Sequence, residues 1–170
     1  MTIKEQAIKW VQEYFAANGN ENTKAIIGIS GGKDSLALLD LMGDMQRRSN
    51  NGFTLHALHV RMTGVDYQSD TTYLRSQCER NGVMFHERMV SFEADRNERR
   101  TPCFLCSWNR RKTLFEVAQE LGCNKIALGH HQDDILHTAL MNLSYAGSFS
   151  TMPCYLKMQK MPLAIIRPLC

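Results

Sequence analysis

Ala25-Ile26-Ile27-Gly28-Ile29-Ser30-Gly31-Gly32-Lys33-Asp34-Ser35-Leu36-Ala37-Leu38-Leu39 is the stretch on which the fold turns. Its apolar, β-branched first half ends abruptly in Ser30-Gly31-Gly32-Lys33-Asp34-Ser35, and a leucine-rich pattern of helical period follows at once. This is how a buried parallel strand feeds a helix through a tight turn. Such a turn is an anion site. Gly31 and Gly32 carry no Cβ, so the backbone can approach a ligand closely and adopt positive φ. The N–H groups of the first helical turn have no acceptor within the helix, and together with the positive end of the helix dipole they favour a phosphate. Ser30 and Ser35 add hydroxyls, and Lys33 adds a mobile cation. Asp34 is the odd member. A carboxylate in a phosphate cradle repels its ligand unless a divalent cation or an oriented water stands between them, which points to Mg2+. The common P-loop has four residues between its first glycine and Gly-Lys-Ser/Thr, a spacing absent here, so an ordinary γ-phosphate kinase or GTPase is not indicated.

At 170 residues the chain is one domain by size, with room for a real core. Charged residues make up 22% and hydrophobic ones 44%, the balance of a soluble globular protein. A formal net charge of +3 permits a nucleic-acid partner without requiring one. The N-terminus has no apolar signal core and no apolar run approaches the length of a bilayer, so the expectation is a cytoplasmic protein without a membrane partner. In that compartment the six cysteines read as thiols, metal ligands or redox groups before disulfides.

Thr2 and Glu5 have capping-box spacing, and Ile3, Ala7, Trp10 or Val11, and Tyr14 recur on one face, which predicts a helix to Ala17 stopped by Asn18-Gly19-Asn20. Residues 1–23 are thus an N-terminal helix, and 24–170 the nucleotide-binding domain. A strand over 24–29 leads into the phosphate loop, and the following helix carries Leu36, Leu39, Met42 and Met45. Further strands are expected over 53–60, 83–90, 125–128 and 163–169, with helices over 66–78, 109–121 and 133–143 and a loop over 91–109. Strand and helix alternate, so the fold class is α/β with a mostly parallel sheet and helices on both faces. Ligands of such folds collect at the carboxyl ends of strands, where the phosphate loop, Val60, the loop after Val90, and Gly129 all converge. Val60 and Gly129 are therefore candidate nucleotide contacts beside Ser30, Gly31, Gly32, Lys33, Asp34 and Ser35.

Two more clusters carry chemistry. Gly129-His130-His131-Gln132-Asp133-Asp134 sits where the fourth strand becomes a helix, and one carboxylate would suffice for capping. With a phosphate loop on the same edge, Asp133 or Asp134 is expected to hold Mg2+ on a pyrophosphate leaving group alongside Asp34. His130 and His131 are open between a ligand role and a packed or solvent-facing one. Cys103-Phe104-Leu105-Cys106 places two sulfurs where they can converge on one metal or on each other, half of a tetrahedral site. Arg96, Arg99, Arg100, Arg110, Arg111 and Lys112 surround it, a density of cations suited to a polyanion, with Phe104 and Trp108 available to stack on an unpaired base. Cys78 and Cys123 read as structural.

The loop Ser30-Gly31-Gly32-Lys33-Asp34-Ser35 resembles the pyrophosphate loop of the adenine nucleotide α-hydrolase-like (PP-loop) ATP pyrophosphatases. Taken with Cys103-Phe104-Leu105-Cys106-Ser107, Gly129 to Asp134 and the late Ile166-Arg167-Pro168-Leu169, the chain resembles the tRNA 2-thiocytidine synthetase family in order and spacing of motifs from about Lys24 onward. That resemblance implies that ATP adenylates the C2 oxygen of an anticodon-loop cytidine in tRNA and that sulfur, from a donor such as a cysteine desulfurase, then replaces AMP. Lys33, Asp34, Cys103 and Cys106 would be the catalytic residues. It also implies a 4Fe-4S cluster on three cysteines, with Cys103 and Cys106 as the first two ligands by position. The family's third ligand lies well beyond the Arg-Pro-Leu strand, whereas this chain stops at Cys170. The expectation is a fragment of a longer protein, the alternatives being a substitute ligand in Cys154, Cys170 or a second subunit of a homodimer, or no cluster. The rival readings are another PP-loop ATP pyrophosphatase, such as a uridine thiolase or a lysidine synthetase, and a nucleotide-binding module without turnover.

Overall fold

A computed structural model of the chain describes residues 2–18, 22–48, 52–64, 69–91 and 101–170. In chain order it contains α1 (Ile3–Asn18), β1 (Lys24–Gly28), α2 (Lys33–Arg48), β2 (Thr54–Met62), α3 (Thr71–Arg80), β3 (Met84–Val90), α4 (Pro102–Glu120), β4 (Lys125–Ala127), α5 (Gln132–Ala146), β5 (Tyr155–Lys157) and β6 (Ala164–Ile166). The strands lie in the order β3-β2-β1-β4-β6-β5. Every pairing is parallel except that of β5 with β6.

Alternation along β1 explains the two helical layers. Ala25 and Ile27 face the core shared with α1 and α2, while Ile26 faces α4 with Leu58, Leu114, Val117, Ala118 and Ile126. The α/β expectation with helices on both faces is met. The capping box forms as expected: the Thr2 N–H donates to Glu5 Oε2 at 2.7 Å and the Glu5 N–H to Thr2 Oγ1 at 3.2 Å. Val11 is fully buried and Trp10 is 49% exposed, which settles the choice between them. The inward stripe is Ile8, Val11 and Phe15, each worth about 1.5–3 kcal/mol of burial, and Phe15 meets Phe53 edge-on at 5.3 Å between ring centres. α1 thus shares its core with α2 and the sheet. Gly19 and Asn20 of the expected helix stop lie outside the described residues.

Four boundaries differ from the sequence reading. β2 continues two residues past Val60, because Met62 pairs with Val90 and is itself buried. α3 starts at Thr71 rather than Asp66, since the Asp70 side chain accepts from the N–H groups of Thr72 and Tyr73 and fixes the first turn; residues 65–68 lie outside the described set. α5 runs on to Ala146, where Gly147 takes the left-handed cap. The largest correction concerns the cysteine pair, expected in a loop. α4 begins at Pro102, because Thr101 caps it by accepting from the Phe104 N–H and proline is well suited to the first helical position.

α2 and α3 touch at a glycine. A Cβ on Gly43 would come within 2.9 Å of Asn81 Cβ, and Asn81 is a buried helix cap held by its own Nδ2 to Gln77 O and by Arg47 Nη1 on its carbonyl. Neither partner is a flexible tip that can swing away. Gly43→Ala is expected to lower the stability of unfolding by about 1–3 kcal/mol, read from the urea midpoint at constant slope.

The sheet also fixes where ligands go. Chain order reverses between β1, which is followed outward by β2, and β4, which is followed by β6, so the crevice beyond β1 and β4 is the topological switch point.

Candidate functional site

The loop after β1 is built as the glycines require. Gly31 has φ +91°, in the left-handed region that a side chain disfavours, and a Cβ there would sit 3.1 Å from Ser69 Oγ. Ser69 donates to the Ser30 carbonyl at 2.8 Å and so braces the loop from the α3 side. Within the loop the Gly32 N–H donates to Ser30 Oγ at 3.3 Å, and Ser35 Oγ donates to the Gly32 carbonyl at 2.9 Å. On the neighbouring strand, His59 is buried with Nδ1 2.8 Å from the Ile29 carbonyl. The hydroxyls of Ser30 and Ser35 are thus engaged in shaping the turn as well as facing it.

Lys33 and Asp34 open α2, pointing outward. Lys33 Nζ donates to Asp34 Oδ1 at 2.7 Å and to Oδ2 at 3.0 Å, and this bond holds the carboxyl below the usual carboxylate range. Asp34 is therefore ionised at neutral pH, the state a cation ligand needs.

The second motif packs directly against the first. A Cβ on Gly129 would lie 3.1 Å from both Asp34 C and Ser35 N, so only glycine lets the end of β4 run against the backbone at the start of α2. Two residues on, His131 Nε2 is 4.0 Å from Asp34 Oδ1 and 3.6 Å from Asp134 Oδ2. The Asp134 carboxylate also accepts from the His131 N–H at 2.9 Å, capping α5. Asp133 is more exposed and lies 3.8 Å from His131 Nδ1, on the other side of the ring. Asp34 and Asp134 thus share one nitrogen of His131, and Asp133 takes the other. Val60 stands apart: two residues short of the end of β2, it packs against the α4 side of the core.

In α4, Cys103 is exposed and Cys106 half-buried, both with free thiols and three residues apart on one face. Phe104 and Trp108 are exposed one turn apart, and Lys112 Nζ lies 5.5 Å from the Trp108 ring centre. A crossover helix runs back against its strands, which puts its N-terminus at the carboxyl edge of the sheet, the edge that also holds the phosphate loop. Arg110, Arg111 and Lys112 are exposed along the same helix. Arg96, Arg99 and Arg100 lie outside the described residues.

A model of the PP-loop domain matches residues 3–170. The chain belongs to the PP-loop family. Among curated relatives, this PP-loop chain is 35% identical over 173 residues to the tRNA-cytidine(32) 2-sulfurtransferase of Bdellovibrio bacteriovorus, a match over 99% of the chain and 64% of the relative. It is 38% identical to the protein of the same name from Polynucleobacter asymbioticus, over 88% of the chain and 50% of the relative. The chain therefore spans about half to two thirds of the length of the relatives it matches. Among solved structures it superposes on the U34-tRNA thiolase NcsA from Methanococcus maripaludis, described with its 4Fe-4S cluster, with a TM-score of 0.77 at 25% identity, over 97% of this chain and 58% of that one.

The donor set of the PP-loop site suits Mg2+, which takes hard oxygen ligands and commonly needs only one or two carboxylates beside phosphate oxygens. Asp34 and Asp134 are the two carboxylates that lie beside His131 Nε2 next to the loop. A 4Fe-4S cluster is matched in part. Cys103 and Cys106 present two thiols from one face of α4, but among the described residues no group of three His, Cys, Asp or Glu side chains is disposed to hold a metal. Two of the candidates for a substitute ligand are engaged with each other. Cys154 and Cys170 form a disulfide, a pairing against the expectation of free thiols. Its cause is local: the Arg167 N–H donates to the Cys154 carbonyl across the β5–β6 pairing, and the turn through Pro168 brings the Cys170 N–H onto the Arg167 carbonyl, leaving the two Cα atoms 6.0 Å apart. Cys78 and Cys123 are buried, as expected, and burial pushes the Cys78 thiol up to about 11.

Sequence reasoning gave Ser69 no role, because nothing in a lone serine before a helix cap marks it as the brace of a distant loop. It left His131 undecided, since the register that sets its ring between two carboxylates depends on where α5 begins. Arg167 was seen only as part of a motif. It is buried, its Nη1 donates to the Pro153 carbonyl, and partial burial, followed by the Arg167 charge, depresses the half-buried His130 imidazole below its ordinary value.

Proposed function

We propose that the chain is the ATP-using core of a tRNA thiolase that adenylates the C2 oxygen of an anticodon-loop cytidine and replaces it with sulfur to give 2-thiocytidine. The observation that carries the reading is the contact of the two motifs at the switch point, where the loop Ser30–Ser35 and the carboxylates of Asp34 and Asp134 meet around His131. The names of the curated relatives favour cytidine as acceptor. NcsA, whose name specifies U34, keeps a uridine as the competing outcome of the test.

In this mechanism the loop amides and Lys33 hold the β- and γ-phosphates, and Ser30 and Ser35 keep the turn closed around them. Asp34 and Asp134 would hold Mg2+, which when bound would supply charge neutralisation for the departing pyrophosphate. Gly129 and Val60 border the nucleotide. The substrate oxygen attacks the α-phosphorus in line with the pyrophosphate, and esterification turns a poor leaving group into AMP. Sulfur then attacks C2 and AMP departs. That sulfur enters at the sulfide level, from a persulfide donor such as a cysteine desulfurase together with a thiol reductant. Cys103 and Cys106 form the site through which it reaches C2, so the C2–O bond lost with AMP is replaced by C2–S and the two thiols end unchanged. Arg110, Arg111 and Lys112 hold the tRNA backbone while Phe104 or Trp108 stacks on an unpaired base. In this reading the protein works in the cytoplasm with its tRNA substrates.

The test is to incubate the chain anaerobically with ATP, Mg2+, unmodified tRNA and inorganic sulfide, and to measure pyrophosphate and the digested nucleosides. Pyrophosphate that depends on tRNA, with 2-thiocytidine in the digest, is expected. A 2-thiouridine product would transfer the chain to the uridine thiolases. ATP bound with no pyrophosphate released would leave a nucleotide-binding module.

A further inference from the structure

A buried cation without a counter-ion lies close to the phosphate loop. Arg167 is 7% exposed, and among the described residues no carboxylate comes within salt-bridge reach of it. Its Nη1 donates to the Pro153 carbonyl, but its Nε is sealed from solvent without a hydrogen-bond partner, and so is Nδ1 of His130. The two side chains come from segments that run side by side. Ala127 pairs with Ile166 at the ends of β4 and β6, and further on His131 pairs with Leu169. Burial lowers both groups below their ordinary values, and the charge of Arg111, exposed on α4, pushes each further down. Arg111 is therefore near enough to act on both. Tyr14, the other ionisable neighbour of Arg167, is raised by burial and donates its hydroxyl to the Cys154 carbonyl at 2.7 Å, so it is neutral and supplies no negative charge. Asp134 faces His130 but is engaged in capping α5. Taking a guanidinium out of water without an opposite charge is costly, and a second cation beside it adds repulsion.

We propose that Arg167, His130 and Arg111 form a second phosphate site, which takes a backbone phosphate of the acceptor RNA while the loop takes the phosphates of ATP. The chemistry of the three side chains selects the ligand. A guanidinium offers parallel N–H donors that match phosphate oxygens, and the neutral His130 ring adds one N–H. The position selects the source. Neighbouring strands lie about 4.8 Å apart, so β6 is roughly 10 Å from β1, across β4 and away from β2 and Val60. In the proposed mechanism ATP runs from the loop toward Val60, so a phosphate held at β6 belongs to the other reactant. Arg110 and Lys112, exposed beside Arg111, extend the positive surface outward for the rest of a polyanion. Stability is thereby given up in the free protein and recovered when the phosphate binds. The source of the phosphate rests on the thiolase reading; the site itself rests on the burial of Arg167.

The test fills the loop with α,β-methylene ATP and Mg2+ and follows a labelled anticodon stem-loop RNA by fluorescence anisotropy across a salt series. The parent is compared with Arg167→Met, with Arg111→Ala at an exposed position, and with Arg88→Ala as a control on the edge strand β3. Arg167→Met and Arg111→Ala are each expected to bind the RNA at least about tenfold more weakly and to lower the salt slope by about one. Affinity for the ATP analogue should stay within about twofold of the parent, and Arg88→Ala should match the parent throughout. The thermal midpoint of free Arg167→Met is expected at or above the parent's, a result that a purely structural arginine would not give. Parental RNA affinity and salt slope in both variants overturn the proposal, as does a loss of ATP-analogue affinity in step with RNA, which assigns the phosphate to the nucleotide. A parent that binds no RNA overturns the thiolase reading and the RNA source together, and inorganic phosphate then decides the site. With the loop still filled, a phosphate-induced rise in midpoint that is absent from Arg167→Met supports a phosphate site of another source; equal rises overturn it.

Discussion

Asp34→Asn is expected to lower tRNA-dependent pyrophosphate release by at least about 100-fold while leaving the thermal midpoint unchanged. The substitution keeps the size of the side chain and removes only its charge. In the proposed mechanism that charge has two duties: with Asp134 it offers the cation oxygen ligands, and through the 2.7 Å bond it holds Lys33 Nζ. Both interactions are solvent-exposed in the free protein, so little folding energy is at stake. In the transition state, charge builds on the departing pyrophosphate and the same groups are desolvated around it, where a misplaced cation costs far more than in water. The effect should fall on turnover more than on ATP binding, since the loop amides are untouched. The pH profile gives a second reading. The Lys33 bond keeps Asp34 ionised to below the usual carboxylate range, so the acid limb of the parent's pyrophosphate release should not contain a group titrating near 4 to 5 that is assignable to Asp34. A variant that retains more than a tenth of the parent's rate would remove Asp34 from the chemistry.

Replacing Cys103 and Cys106 together by serine is expected to give the opposite pattern. Pyrophosphate release should stay within about twofold of the parent, and 2-thiocytidine should fall below detection, at least about 100-fold down. The two thiols sit on α4, on an element separate from the strands that hold the phosphates, and both are accessible enough that serine changes neither packing nor the Thr101 cap. Adenylation without sulfur transfer leaves an activated nucleoside that water returns to cytidine with loss of AMP. The variant should therefore consume ATP without yielding product, and liquid chromatography of the nucleosides beside a pyrophosphate assay separates the two. If the double variant loses both activities in proportion, the cysteines are structural or hold the tRNA, and sulfur arrives by another route.

Most of the sheet was legible because its signals are local and strong. The β-branched run before Ser30 reads as a buried strand, and the leucine- and methionine-rich run after the loop reads as a helix, of which Leu38, Leu39, Leu41, Met42 and Met45 are buried. The phosphate site was legible for the same reason, since Ser-Gly-Gly-Lys-Asp-Ser compresses its chemistry into six consecutive residues. What escaped depended on long-range packing or on residues with two meanings. Pro102 was read as a breaker, while its place just after a capping Thr101 makes it the first residue of α4. Cys154 and Cys170, 16 positions apart, meet because β5 pairs antiparallel on a sheet otherwise parallel, a reversal that the residues between them do not announce. Ser69 reaches the loop from the far end of a crossover. α5 is expected only as a helix over 133–143, and that none of its residues is buried is visible only once the rest of the fold is built.

The contact of Gly129 with the backbone of Asp34 and Ser35 has a consequence for how such proteins can diverge. Two segments nearly a hundred residues apart in the chain share one van der Waals boundary, and neither side of it is a side chain that could be trimmed to make room. Any change that thickens the second segment must displace the first, so the pair is inherited as a unit. Variation in acceptor, sulfur source or tRNA contact is then left to α4 and to the exposed surface of α5, where substitutions do not reach this boundary.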